Sequence, residues 1–142
     1  MAKTQKKVER DPAAELQEIG RGAYEAIAEM VAGLEKYDKD DNYQTEKNRE
    51  DALRAIEEDP LSVEVSHGWH GPGSVTGAPE EYRILLSTGG PATRIVGDLS
   101  EHGEPTSARL EAQDWFQPWT EYRGGDEAVL LAYASCFYFG EG

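Results

Sequence analysis

The chain is poor in the residues that staple, ligate or span. It holds one cysteine, Cys136, among 142 residues, so no internal disulfide framework can form and a reducing compartment is expected. Strictly apolar runs last a few residues, far short of the roughly 20 that cross a bilayer, which excludes a transmembrane helix. The charged opening MAKTQKKVERD leads into no apolar segment, so no secretory signal is expected. Basic residues are scarce, 14 against 28 acidic ones. No Walker loop or dinucleotide fingerprint occurs, and no strong catalytic motif.

What is present is acid and periodic apolar clusters. The net charge is −14, the isoelectric point is near 4.5 and the mean hydropathy is −0.69. The apolar residues recur in regular clusters, so one folded domain is expected rather than a wholly disordered chain. Residues 1–10 hold four bases against one acid and read as a basic flexible tail. Residues 11–59 hold 15 acids against 6 bases, and residues 60–142 hold 12 against 4, so the body from 11 to 142 carries −17. Direct nucleic-acid binding needs a basic surface that releases counterions from phosphates, and this body has the opposite sign. Anionic membranes are excluded on the same ground. The field suits a basic partner and would speed its docking, although acidity also serves plain solubility.

The first half reads as two helices. Asp11-Pro12 is a helix start, with a capping carboxylate and a proline at the first helical position. Leu16, Ile19, Ala23, Ile27, Met30, Leu34 and Tyr37 then fall at steps of three and four, a helical stripe from 12 to about 37. That face should cover a sheet, with the seam of a homodimer as the alternative. Glycines near the stripe, Gly20 among them, suggest close packing. A second helix is expected from about 43 or 45 to 58, with Ala52, Leu53 and Ile56 inward and Asp59-Pro60 as its stop. Carboxylates one turn apart on a helix repeat every ~6 Å, the order of phosphate spacing along a nucleic-acid strand. Glu15, Glu18, Glu25, Glu29 and Glu35 on the first helix, and Glu46, Glu50, Asp51, Glu57 and Glu58 on the second, could form such rows or could be ordinary solvated faces.

The second half reads as a sheet closed by a helix. Strands are expected at 62–66, 81–87, 93–99 and 107–113, with the middle two forming a Gly-rich hairpin. Asp126 should cap a last helix with Val129, Leu130, Tyr133, Cys136 and Phe137 on one face. The predicted fold is α+β: two N-terminal helices, a four-stranded antiparallel sheet, and a C-terminal helix packed on that sheet, as a single domain over 11–142.

Each candidate site has a plain reading beside the chemical one. Asp38-x-Asp40-x-Asn42 resembles the start of an EF-hand loop, but Tyr43 stands where glycine is needed and Arg49 where the bidentate glutamate belongs. An acidic interhelix turn is the reading retained. His67 and His70, with Asp98, His102 or Cys136, could offer zinc ligands, but an HxxH without paired cysteines is weak. Cys136 lies on an apolar stripe and reads as a buried thiol. Ser87-Thr88-Gly89-Gly90 reads as a hairpin turn rather than an anion loop. Arg83, Arg94, Arg109 and Arg123 are expected to pair locally with Glu81, Asp98, Glu111 and Glu121, with an anion pocket as the alternative. Trp69, Trp115, Phe116, Trp119 and Tyr122 read as a core cluster or, where exposed, as a binding hot spot. No metal or cofactor is expected.

The runs DPLSVEVSHGWH, EEYRILLSTGGPATRIVGDL, QDWFQPWTEY and LLAYASCFYFGE, spread over 59–141, resemble a group of small acidic proteins carried by phages, prophages and plasmids of bacteria. That resemblance implies an inhibitor of host defence, of the anti-CRISPR or antirestriction type, working in the cytoplasm of a bacterial cell. The residues from 11 to 59 lie outside it. The expected function is therefore non-enzymatic inhibition of a basic nucleic-acid-binding machine by acidic DNA mimicry. Asp38, Asp40, Asp41, Glu46, Glu50, Asp51, Glu57 and Glu58 are the expected contacts, with Trp69 and Trp119 as aromatic anchors. The alternatives are an adaptor module of a mobile element, whose acidity serves solubility only, and a metal protein built on the histidine loop.

Overall fold

The computed structural model describes residues 11–38, 43–73 and 78–140; the tail expected over 1–10 lies outside them. Two helices lead: α1 over Pro12–Glu35 and α2 over Tyr43–Glu57. Five strands follow: β1 over Ser62–Ser66, β2 over Glu81–Ser87, β3 over Ala92–Asp98, β4 over Arg109–Gln113 and β5 over Thr120–Glu121, before α3 over Glu127–Ala134. The architecture is α+β. The sheet is antiparallel throughout, in the spatial order β1-β2-β3-β4-β5. Among the described residues it has five strands rather than the expected four, because a two-residue β5 pairs Thr120 with Ala112 and Glu121 with Glu111. Two residues are too few to show an alternating pattern in sequence.

α1 starts where Asp11 accepts a hydrogen bond from the Ala13 N–H at 3.3 Å. Its buried residues are Leu16, Gly20, Ile27, Val31 and Leu34, so the helix is turned from the expected stripe. Ile19 and Met30 are half-buried and border an open groove of about 310 Å³ against Leu86 and Thr93. The turn follows from Gly20. A Cβ there would stand 2.7 Å from Cβ of Tyr122, so only glycine lets α1 lie against that side chain. α3 starts at Asp126, which accepts from the Ala128 N–H at 3.0 Å. It stops at Ala134, before Cys136 and Phe137, which still pack on the core.

The core lies between the helical layer and one face of the sheet. Ile27, Val31 and Leu34 of α1, Ile56 of α2, and Leu130 and Tyr133 of α3 meet Tyr82, Ile84, Ile95 and Leu110. Burying each aliphatic side chain contributes roughly 1.5–3 kcal/mol. The Tyr133 hydroxyl donates to Asp59 at 2.8 Å, tying α3 to the end of α2. On this face α1 packs chiefly against β3, β4 and β5 and α3 against β4, while α2 packs chiefly against α1. No helix among the described residues is long and apolar enough to cross a membrane.

Candidate partner-binding surface

α2 is held by its inner face. Ile56 is fully buried, and Ala52 and Leu53 are half-buried against the core. At about 100° per residue, Glu46, Glu50 and Glu57 share an arc of about 40° on one flank of α2, about 100° round from Ile56. All three are exposed, and among the described residues no ion pair reaches them. Their rises along the axis are about 6 Å from Glu46 to Glu50 and about 10 Å from Glu50 to Glu57. The row farthest from the core holds Lys47, Asp51, Arg54 and Glu58 and is mixed in sign.

The arginines are spent on nearby carboxylates. Arg49 bonds Asp38 at 2.8 Å across the interhelix turn, and Arg54 bonds Asp51 at 3.1 Å. Arg21 on α1 bonds Glu18 at 3.2 Å and approaches Glu25 at 3.7 Å. These pairs are exposed and each is worth under about 1 kcal/mol, but they cancel charge locally. Asp38 and Asp51 therefore stand beside their own cations, whereas Glu46, Glu50, Glu57 and Glu58 do not. Asp40 and Asp41 lie outside the described residues.

The open face of the sheet carries Arg83, Arg94 and Arg109, and the expected partner Glu111 takes two of them. Arg83 bonds Glu64 on the neighbouring strand at 2.8 Å, not Glu81. Glu111, nearly buried, accepts from both Arg94 at 2.8 Å and Arg109 at 3.0 Å. Arg123 forms no ion pair among the described residues. Cross-strand register decides these partners: Glu64 lies directly opposite Arg83, and Glu111 opposite Arg94. A shallow groove of about 430 Å³ runs over this face between Glu64, Glu81, Arg83, Val96, Asp98 and Arg109. Its guanidinium groups already hold carboxylates, so it offers no free cationic site for an anion.

The aromatic residues do not form one cluster. Trp69 is fully exposed in the β1–β2 loop. Trp119 is half-buried with its ring centre 4.0 Å from the Arg94 guanidinium carbon, in the β4–β5 loop at the opposite end of the sheet. Tyr122 packs on Tyr24 at 5.7 Å. Trp115 is mostly exposed but lies over Gly90, where a Cβ would stand 2.5 Å from its Nε1. Phe116 is fully exposed on a left-handed backbone with φ 62°.

The chemical alternatives find little support among the described residues. No group of three metal-ligating side chains occurs there. His70 turns its ring back onto the His67 carbonyl. Cys136 is half-buried and its Sγ lies 3.5 Å from the Ala132 carbonyl. Burial raises its thiol pKa, with the Glu57 charge adding to the shift, which disfavours the nucleophilic thiolate. Comparison with known proteins finds no family model, curated protein or solved structure that matches this chain.

Proposed function

We propose that the protein is a non-enzymatic binding module that docks the acidic flank of α2 on a basic, nucleic-acid-binding protein and so competes with nucleic acid. The observation that carries this reading is the row Glu46, Glu50 and Glu57. It is exposed, fixed to the core through Ile56, and reached by no cation among the described residues. Around it, the α2 arginines are committed to Asp38 and Asp51. The backbone of a packed helix needs no ordering when a partner arrives, and the body charge of −17 steers cationic surfaces towards its carboxylates. Inhibition of a host-defence complex, of the anti-CRISPR or antirestriction type, is the form of this activity suggested by the resemblance of residues 59–141. Asp38, Asp51 and Glu58 border the row as secondary contacts.

The test is capture of partners from nuclease-treated bacterial lysate on the immobilised full chain. The reading expects a basic nucleic-acid-binding protein, released by salt and displaced by added DNA. Partners that resist both salt and DNA would refute it.

A further inference from the structure

The sheet ends in an edge that nothing among the described residues covers. β1 is the outermost strand, and Val63 and Val65 remain 38% and 37% exposed although they share the core side of the sheet with Ile84 and Tyr82. α1 and α3 pack chiefly over β3, β4 and β5, and the exposure of Val63 and Val65 marks the strip they leave open. The hydrogen-bond phase fixes what the edge presents. The Leu99 N–H bonds the Glu80 carbonyl at 2.8 Å, which turns the polar backbone groups of Tyr82 and Ile84 towards β3. Glu81, Arg83 and Leu85 then serve β1, opposite Ser66, Glu64 and Ser62. The N–H and C=O groups of Val63 and Val65 are left pointing outward. β1 itself has no proline and no bulge, two of the devices that block such an edge.

We infer that β1 is a strand-addition site for an extended, basic segment of a partner protein. An added antiparallel strand would form hydrogen-bonded pairs with Val63 and Val65, so apolar residues belong opposite them. The residue facing Glu64 occupies the closer, non-hydrogen-bonded position and, as a lysine, would share that carboxylate with Arg83. The residue facing Ser66 can pass over that small side chain to Glu81, its neighbour on β2, and should also be a lysine. The pattern is Lys-apolar-Lys-apolar, read from the position facing Ser66. Charge selects a basic segment over the β1 edge of a second copy, which would bring a further Glu64 and Glu81 to these carboxylates. The site is separate from the α2 row and stands or falls independently of it.

The test is an NMR titration of the full chain with an end-blocked peptide containing Lys-Val-Lys-Val-Thr, in parallel with its Glu-for-Lys counterpart. The expected result is shifts confined to β1 and its neighbours, with slowed amide exchange at Val63 and Val65. The acidic peptide should bind at least about tenfold more weakly. Val65→Pro removes an outward N–H without breaking a bond to β2, and should weaken binding by at least about tenfold. Methylation of the peptide nitrogen opposite Val65 should do the same and does not depend on the variant folding. Equal binding of the methylated peptide, or of the acidic one, would overturn the inference. So would light scattering that detects a dimer abolished by Val65→Pro, since the edge would then belong to a second copy. Charge reversal at Glu46, Glu50 and Glu57 should leave the amide protection at β1 unchanged, which separates this result from a failure of the α2 reading.

Discussion

Ile56→Ala probes the foundation of the proposed surface. Ile56 is the one fully buried residue among the described side chains of α2, and Ala52 and Leu53 add only partial burial. The substitution deletes three carbon atoms from a site with no exposed surface. Such truncations cost roughly 2–5 kcal/mol, made up of lost transfer energy and the cavity left behind. α2 is bound mainly along one side and can shift partway into the gap, so a value of about 3 kcal/mol is expected. Ile56→Val removes one methyl group and should cost about 1 kcal/mol. Urea unfolding followed by far-ultraviolet circular dichroism reads both values. With a slope of about 2 kcal/mol per molar, the alanine variant should lower the midpoint by roughly 1.5 M without changing the slope. Hydrogen exchange in the same variant should lose protection first in α2. A loss below about 1 kcal/mol, or protection unchanged in α2, would mean that the helix is not anchored through Ile56. The orientation of the acidic row would then be without support.

Three further outcomes follow from the packing. Gly20→Ala should destabilise the fold by about 1–3 kcal/mol, because the new Cβ meets Tyr122 at 2.7 Å. Gly22→Ala, on the open side of the same helix with nothing within 4 Å, should stabilise it by up to about 1 kcal/mol. Thermal melts of the two variants must move in opposite directions. Glu111→Ala should cost about 2–3 kcal/mol by leaving Arg94 and Arg109 without their shared carboxylate, and a neutral result in urea titration would contradict the geometry. Burial, together with the hydrogen bond to Asp59, raises the Tyr133 pKa above its ordinary 10.0, and burial raises that of Tyr82 too. Both phenols are neutral when protonated, so their contribution is complete below about pH 10 and is lost as the pH rises above it. Stability should fall above about pH 10, and Tyr133→Phe should make that fall shallower; an equally steep fall in the variant would count against the assignment.

Local pattern carried much of this fold in the sequence. The alternation of β1 and β2 and the cap signals at Asp11 and Asp126 lead directly to observed elements. Features set by long-range contact were not legible. α1 is rotated about its axis by the contact of Gly20 with Tyr122, which is distant in sequence, so Gly20 and Val31 are buried where Ile19 and Met30 were expected. The Arg83–Glu64 and Arg94–Glu111 pairs depend on strand register, which charge order along the chain does not encode, whereas Arg109 and Glu111 are near neighbours on β4. Trp69 and Trp119 belong to opposite ends of the sheet, a separation that only the topology reveals. The acidic character of α2 was plain from composition. Which carboxylates remain beyond the reach of a cation depends on side-chain geometry at Arg49 and Arg54. The open β1 edge had no signal in sequence, because its exposure comes from where the helices stop.

The most direct test of the central claim is the association rate of a captured basic partner with the wild type and with the combined Glu46→Lys, Glu50→Lys and Glu57→Lys variant, across a salt series. The account predicts at least about tenfold slower association of the variant at low salt, converging with the wild type as salt screens the field. Equal rates at low salt, with both proteins folded, would contradict it.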